Sequence, residues 1–224
     1  MRHLPEVMGF MLAAALICPA QQTSALESDP AGWTDILPGA SLKGWTRLPM
    51  PPTNPPLAQS QWRVDLASRT LICEGNLGNE WLRYDRELSD AIFHVEWRFT
   101  KLPEENARYN SGVYIRNSAD GAIWHQAQAG AASGGFLFGN TLVNGERKRV
   151  NLREAATPSR VKPAGEWNTY ELSARGKTIT LWVNGAVTSV FAECEVPRGH
   201  IGLEAEGYRI EFRNLKLKEL SKER

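Results

Sequence analysis

Short segments in which apolar and polar residues alternate recur along most of this chain. The clearest is 91–101, where Phe93 and Val95 alternate with His94 and Glu96. A period of two residues places alternate side chains on opposite faces, which is typical of a β-strand with one buried face. The same pattern predicts strands over 62–65, 70–74, 80–84, 91–101, 111–117, 122–128, 169–173, 178–183, 186–191, 201–206 and 208–217.

Turn dipeptides separate several of these strands. Asn144-Gly145 and Asn184-Gly185 favour the tight turns of β-hairpins. Many short strands with turns between them, and no comparable helical period, predict an all-β fold, an antiparallel sandwich or jelly roll. Residues 139–162, rich in Asn, Arg and Lys, are predicted to form a long connection over one rim. The prolines of 49–56 predict an irregular, exposed loop.

Composition indicates a single globular domain. The chain has 224 residues, of which 42% are hydrophobic and 23% charged, with a net charge of +1. This length suffices for one domain with a core. The near-neutral charge and the absence of a basic run exclude nucleic acid as an expected partner. Eight tryptophans are more than such a core needs, and indole rings also stack on flat ligands such as sugars.

The first residues have the features of a secretory signal peptide. Arg2 and His3 precede an apolar stretch over 7–17, which is too short to span a bilayer. Small residues follow and end at Ala20 or Ala25, either of which suits a cleavage site.

We therefore predict a signal peptide over 1–25 and a single domain over 26–224, with no transmembrane segment and a periplasmic or secreted location. Cys18 allows a lipid anchor as an alternative, which the bulky residues before it disfavour. Cys73 and Cys194 remain after cleavage, and an exported protein permits a disulfide between them. The sequence leaves that bridge open.

Two carboxylates, Glu204 and Glu206, stand two residues apart in a predicted strand. They would project to the same face, separated by roughly 6.6 Å. Like charges at such a distance raise one pKa, which allows one group to serve as an acid and its neighbour as a base. The alternative is a solvated strand face that carries two charges.

The alternation places other polar and aromatic side chains on outward faces with this pair. The outward set comprises His94, Glu96, Arg98, Tyr114, Arg116, Trp124, Gln126 and Gln128. Such groups bind sugar hydroxyls and stack on pyranose rings. Glu96 and Arg116 are predicted to pair across neighbouring strands, with a polar outer sheet of ion pairs as the alternative. His125 falls on the apolar side as a structural histidine, unless a β-bulge turns it towards a ligand.

Several enzyme classes lack their motifs in this chain. There is no Gly-x-Ser-x-Gly elbow, no phosphate-binding glycine loop and no Cys or His cluster with zinc spacing. The Glu-x-Asp-x-Glu strand of laminarinase-type glycosidases is also absent. The chain is therefore not expected to be a serine hydrolase with such an elbow, a nucleotide-binding enzyme, a zinc enzyme or a laminarinase-type glycosidase.

A series of segments resembles one protein family. The segments are the opening from Trp33 to Trp45, Asn110-Ser-Gly-Val-Tyr-Ile-Arg116, Trp167-Asn-Thr-Tyr170, Trp182-Val-Asn-Gly185 and the ending over 202–220. Their order and spacing are similar to the 3-keto-disaccharide hydrolase family, also described as 3-keto-glucoside 1,2-lyase / 3-keto-2-hydroxy-glucal hydratase. The similarity extends over nearly all of the chain after the leader. It implies a concanavalin A-like jelly roll of the lectin/glucanase type and an exported enzyme that acts on oxidised glycosides.

The chain departs from the pattern of this family in two places. Many members carry Gln and His at the positions of Glu204 and Glu206. Many also carry Glu-x-Gln where this chain has Trp124-His-Gln126. Gln126 therefore matches, whereas an indole replaces the acid of the family.

The implied reaction is elimination across C1–C2 of a 3-keto-glycoside, followed by hydration. The ketone acidifies the C2 proton, and the resulting enolate expels the C1 substituent before water adds back. These steps need a base near C2, a donor or cation at the enolate oxygen and an acid for the leaving oxygen. We predict Glu204 and Glu206 as base and acid, with Arg116 at the ketone or enolate oxygen.

An oligosaccharide or glycoside is the predicted partner. Its predicted binding residues are Glu96, Tyr114, Trp124, His125, Gln126 and Gln128. The amides would hold hydroxyls, and an aromatic ring would stack on the sugar. A divalent metal that bridges Glu96, Glu204 and Glu206 could replace Arg116 as the electrophile, and the sequence leaves this choice open.

The alternative function is a non-catalytic carbohydrate-binding or scaffold module, since a fold does not dictate a function. A deep cleft in which Glu204, Glu206 and Arg116 converge would favour catalysis. A shallow platform of aromatic rings would favour binding alone.

Overall fold

The computed structural model of the protein describes residues 21–131, 133–157 and 159–221. Two antiparallel β-sheets pack face to face, and the all-β jelly-roll prediction is confirmed. Most of the predicted leader, including Cys18, lies outside the described residues.

One short helix and fifteen strands occur in the described part of the chain. The helix is α1 (Ala25–Ser28). The strands are β1 (Thr34–Asp35), β2 (Trp45–Pro49), β3 (Trp62–Asp65), β4 (Thr70–Cys73), β5 (Glu80–Tyr84), β6 (Ala91–Phe99), β7 (Ser111–Asn117), β8 (Trp124–Ala129), β9 (Leu137–Val143), β10 (Glu146–Asn151), β11 (Asn168–Arg175), β12 (Thr178–Val183), β13 (Ala186–Phe191), β14 (His200–Ala205) and β15 (Ile210–Glu219).

Each sheet combines strands that are distant in sequence. The first, which we call the back sheet, has the order β13-β12-β11-β6-β15-β4-β3, and β1 pairs with β15. The second, the front sheet, has the order β10-β9-β8-β7-β14-β5-β2. The sequence-distant neighbours in each sheet mean that long-range packing decides which side chains become neighbours.

The core fills the space between the two sheets. Phe93, Val95 and Trp97 enter it from the back sheet, while Val113 and Leu203 enter it from the front sheet, and all are buried. Predicted core positions of β6, β7 and β14 are therefore confirmed. Burial of large apolar side chains from both inner faces holds the sheets together.

The predicted long connection over 139–162 is wrong in its first half. Residues of this segment form the β9–β10 hairpin, which extends the front sheet to its edge. Asn144 and Gly145 have φ of 53° and 74°, as a tight hairpin turn requires. The strand signal of β10 was weak because this edge strand is exposed and rich in charged residues, so it lacks apolar alternation.

The N-terminal part of the described chain is anchored on the outer face of the back sheet. Ser24 caps α1 with a capping box. The backbone N–H groups of Ala25 and Leu26 donate to the carboxylate of Glu171 over 2.6 Å and 3.0 Å. His94 contacts the same carboxylate through Nδ1 at 2.9 Å. These contacts cover the outward side of β6 and bury His94.

Cys73 and Cys194 are both buried and free, so the structure contains no bridge between them. Among the residues described here, no helix is long and apolar enough to cross a membrane.

Replacement of a core aromatic should destabilise the sandwich strongly. Phe212 is completely buried and stacks on Trp62 with ring centroids 6.2 Å apart. We expect Phe212→Ala to lower the free energy of unfolding by about 3–5 kcal/mol, because it leaves a cavity. The matched control Val190→Ala removes a side chain that is 51% exposed, and we expect a change below about 0.5 kcal/mol. Urea unfolding followed by circular dichroism measures both, and equal losses would contradict this placement of the core.

Candidate active site

A cavity of about 470 Å³ opens on the outer face of the front sheet. Strands β14, β7 and β8 form its floor, and the proline-rich loop after β2 forms one wall through Met50, Pro51 and Pro52. The polar and aromatic lining residues are Asn79, Trp81, Asn110, Tyr114, Asn117, Trp124, Gln126, Gln128, Phe138, Glu204 and Glu206. We call this cavity the glutamate pocket.

The strand register explains why these side chains meet. Glu204 pairs with Trp81 of β5, Tyr114 pairs with Gln126, and Gln126 pairs with Phe138 of β9. Directly opposed residues in antiparallel strands project to the same face. The pairings therefore place these outward side chains in two neighbouring rows across the front sheet. Trp81 and Glu204 share one row, and Tyr114, which pairs with Gly202 of β14, shares the next row with Gln126 and Phe138.

Glu204 is buried at the floor of the glutamate pocket. The Tyr114 hydroxyl donates to Oε1 over 2.6 Å, and the Gln126 amide donates to Oε2 over 2.7 Å. Burial and then the nearby charge of Glu206 raise the pKa of Glu204 to about 8, although both hydrogen bonds act in the opposite direction. The carboxyl is thus held protonated near neutral pH.

Glu206 follows β14 and is only half-buried. Burial raises its pKa, and a hydrogen bond from Asn110 opposes the shift. The Asn110 oxygen accepts from the Gln128 amide over 2.6 Å, which turns the amide nitrogen of Asn110 towards Glu206. The charge of Glu206 is one cause of the raised pKa of Glu204, so the titrations of the two carboxyls are coupled.

Two glycines leave room for the large side chains of the pocket. A Cβ atom at Gly112 would lie 2.2 Å from Nε2 of Gln126, and one at Gly202 would lie 2.6 Å from the ring of Trp81. Any larger residue at either position would therefore displace a lining side chain.

Aromatic rings form the upper sides of the pocket. Trp81 packs edge to face on Tyr114 with centroids 5.7 Å apart, and Trp124 does the same on Phe138 at 5.2 Å. The guanidinium carbon of Arg149 lies 4.7 Å from the ring centroid of Trp124. The rings are held in place by one another and offer apolar surface beside the two carboxyls.

The structure does not bring Arg116 to this pocket. His200 pairs with Asn117 and Gly202 with Tyr114, so β7 has one residue more than β14 over this stretch. Arg116 adopts a φ of 53° at this bulge, which ends the alternation of β7. Its guanidinium is buried elsewhere, where it donates to Asp90 over 2.6 Å and also to two backbone carbonyls.

The predicted pair of Glu96 with Arg116 is wrong, because the two residues belong to different sheets. Glu96 lies on the outer face of the back sheet and accepts from Arg213 over 2.7 Å and from Asn214 over 3.1 Å. A metal bridged by Glu96 and the two glutamates of the pocket is therefore geometrically impossible. Within the described ranges, no group of three His, Cys, Asp or Glu side chains is arranged to hold a metal.

His125 and Gln128 occupy opposite sides of β8. His125 points inwards, where Nε2 lies 2.8 Å from the Thr141 hydroxyl and Nδ1 lies 3.2 Å from the carbonyl of Ile115. Burial lowers the pKa of His125 to about 4, which keeps the imidazole neutral. Gln128 lines the glutamate pocket, as do Trp124 and Gln126 of the same strand.

Sequence reasoning missed several lining residues, including Trp81, Asn110 and Phe138. Asn110 immediately precedes β7, so its place at the strand end was a usable signal. Trp81 belongs to β5, whose first three residues are all buried, so no alternation of buried and exposed side chains marked Trp81 as facing outward. Phe138 fell within the segment predicted as a loop connection.

The sequence profile of one family, described as the 3-keto-alpha-glucoside-1,2-lyase-like domain, matches residues 32–218. The chain belongs to this family. No match was found among curated proteins. The predicted family resemblance is confirmed, and membership indicates a carbohydrate-related function.

Solved structures share the fold at low sequence identity. A candidate glycosyl hydrolase from Parabacteroides distasonis is 15% identical with a TM-score of 0.61, over 90% of this chain and 100% of that chain. The carbohydrate-binding module CBM66 from Bacillus subtilis is 14% identical with a TM-score of 0.54, over 77% and 94%. An alginate lyase of polysaccharide lyase family 7 is 14% identical with a TM-score of 0.51, over 80% and 95%. These likenesses concern the fold alone.

The raised pKa of Glu204 makes stability depend on pH. A carboxyl with a folded-state pKa of about 8, against an ordinary value of 4.5, binds its proton more tightly in the folded state. The protonated carboxyl contributes to the free energy of unfolding fully below about pH 4.5, and this contribution is lost as pH rises towards 8. The free energy of unfolding then falls by up to about 1.4 kcal/mol per pH unit.

We expect Glu204→Gln to remove this slope, so that the variant gains stability relative to wild type as pH rises from 5 to 8. Glu166→Gln, which changes an exposed carboxylate, should retain the slope. Urea unfolding at a series of pH values measures it. Parallel pH dependence of wild type and Glu204→Gln would contradict the protonated, buried carboxyl.

Proposed function

We propose that the protein cleaves 3-keto-glycosides by elimination across C1–C2 followed by hydration. The observation that carries this proposal is the pair of carboxyls in one pocket, in which Glu204 is buried with its pKa raised to about 8 and Glu206 is half-buried. An acid and a base side by side are what elimination from a 3-keto sugar requires. Family membership supports the same reaction class.

In the proposed first step, Glu206 removes the C2 proton and Glu204 protonates the C1 oxygen as it leaves, which gives an enone. In the second step, water adds at C1 and gives a proton to Glu204, while Glu206 returns its proton to C2. Each carboxyl thereby recovers its starting state. The net change is hydrolysis of the glycosidic bond.

The other lining residues would bind and orient the sugar. Because Arg116 lies outside the glutamate pocket, the enolate oxygen would be held by amide N–H groups of Asn110 and Gln126. Gln128 would hold a hydroxyl, and Trp124 would present a flat ring to the pyranose. Tyr114 acts through Glu204, to which it donates at 2.6 Å, and so is a positioning residue.

Release of the aglycone from a chromogenic 3-keto-glucoside tests the reaction. We expect wild type to release it, and Glu204→Gln and Glu206→Gln each to lower kcat/KM by at least about 100-fold, because each loses a proton-transfer group. The control Glu166→Gln should retain wild-type turnover. Absence of release by wild type, or undiminished release by the Glu204→Gln/Glu206→Gln double variant, would reject the mechanism.

A second candidate function is carbohydrate binding without turnover. The aromatic walls formed by Trp81, Trp124 and Phe138 favour it, because such rings bind sugars without any chemistry. Binding of an unoxidised glucoside by wild type, combined with no release from the 3-keto-glucoside, would support this function over the enzyme.

We also propose export, with removal of the leader after Ala20 rather than after Ala25. Residues beyond Ala20 are built into the fold: the Gln22 N–H donates to the Gly185 carbonyl over 2.7 Å, and buried Ser24 caps α1. Cleavage after Ala25 would delete both interactions and the Ala25 contact with Glu171.

N-terminal sequencing of the protein recovered from the periplasm or medium of an expressing bacterium tests this proposal. We expect Gln21 as the first residue. A start at Leu26, or recovery of the uncleaved chain from the cytoplasm alone, would contradict it.

A further inference from the structure

A second cavity, of about 580 Å³, continues from the glutamate pocket along the outer face of the front sheet. Asn110, Gln128 and Phe138 line both cavities. The two are therefore halves of one groove, long enough for a ligand to extend beyond the sugar that faces the two carboxyls.

Three guanidinium groups line this second cavity, which we call the arginine groove: those of Arg108, Arg149 and Arg153. No carboxylate lines it, and within residues 21–131, 133–157 and 159–221 no carboxylate forms an ion pair with any of the three. The whole chain carries a net charge of only +1, so this positive charge is a local concentration. Like charges gathered without a counter-charge favour an anionic ligand.

Aromatic rings hold two of these guanidinium groups in position. The Arg149 carbon lies 4.7 Å from the ring centroid of Trp124 and 5.2 Å from that of Phe138. The Arg153 carbon lies 5.2 Å from the ring centroid of Phe136. These distances are those of cation–π contacts, which leave the guanidinium N–H groups that point away from the rings available as donors. Such preorganised forks lose less side-chain entropy when they bind an anion.

We propose that the arginine groove binds an acidic group, a carboxylate or a phosphate, carried by the part of the glycoside that leaves C1. This inference rests on the proposed function for the orientation of the substrate. Guanidinium groups bind both kinds of oxyanion through paired hydrogen bonds. The glutamate pocket is lined by two carboxyls and no cationic side chain, so the neutral sugar faces the carboxyls and the acidic group of the ligand faces the arginines.

Calorimetric titration of the full-length protein with unoxidised ligands tests the proposal without any turnover. The ligands are a neutral glucosyl-glucose disaccharide, its glucosyl-glucuronate counterpart and glucose 1-phosphate. We expect at least one charged ligand to bind about tenfold more tightly than the neutral disaccharide at low salt. High salt should shrink this advantage, because the arginines are exposed. The tighter of the two charged ligands identifies the source of the anion.

Variants then assign the preference to the arginine groove. Arg149→Gln and Arg153→Gln should each remove most of the advantage of the charged ligand. Arg153→Gln should also leave the affinity for the neutral disaccharide nearly unchanged. Both variants are tested because Arg149 contacts Trp124 of the glutamate pocket, whereas Arg153 contacts Phe136. Arg153→Gln therefore removes a charge without removing a packing contact of Trp124. The matched control is Lys148→Gln, an exposed neighbour on β10 whose side chain alternates to the other face, and it should keep the full advantage.

Equal affinity for neutral and charged ligands, absence of charged-ligand binding, or a preference that survives both arginine variants would overturn the proposal. The outcome is separable from that of the proposed reaction. An arginine-dependent acidic preference without turnover of 3-keto-glucosides would support the arginine groove and reject the reaction. Turnover by a protein with no acidic preference would do the reverse.

Discussion

The burial of apolar side chains between the two sheets is the constraint on which the rest of the structure depends. Every central strand must give alternate side chains, such as Phe93 and Leu203, to this space. Because paired strands are in register, the intervening side chains form aligned rows on the outer faces. The outward side chains of Trp81, Glu204 and Tyr114 become part of a pocket because the loop after β2 forms one of its walls. Core packing thus positions a site that the core itself does not contain.

Burial of Glu204 sets the electrostatics of this pocket. Removing a carboxyl from water favours its neutral form, and the charge of Glu206 adds to the effect. Hydrogen bonds from Tyr114 and Gln126 fix the position of the carboxyl but only partly offset the cost of burial, so it remains protonated near neutral pH. Order and a raised pKa together are what a proton donor in a carbohydrate site requires.

Charged side chains are arranged differently on the two outer faces of the sandwich. On the back sheet, Arg213 is paired with Glu96 and Arg98 with Glu211, so positive and negative charges are balanced locally. On the front sheet, the two glutamates line one cavity and the three arginines line the adjoining cavity. An uneven distribution of charge along the two cavities is the feature on which the proposed orientation of an acidic ligand rests.

The sequence by itself determined the all-β class, the bounds of strands such as 80–84 and 111–117, and the alternation that placed Tyr114 and Glu204 opposite the core. These features follow from the backbone geometry within one strand, which a local pattern records. Only the tertiary structure decided which of the outward-facing residues lie together on one sheet. It placed Glu96 and Glu204 on different sheets, and it directed Arg116 away from the glutamate pocket at the bulge where β7 pairs with β14. Strand partners are chosen by packing between residues far apart in sequence, and a local period carries no information about that choice.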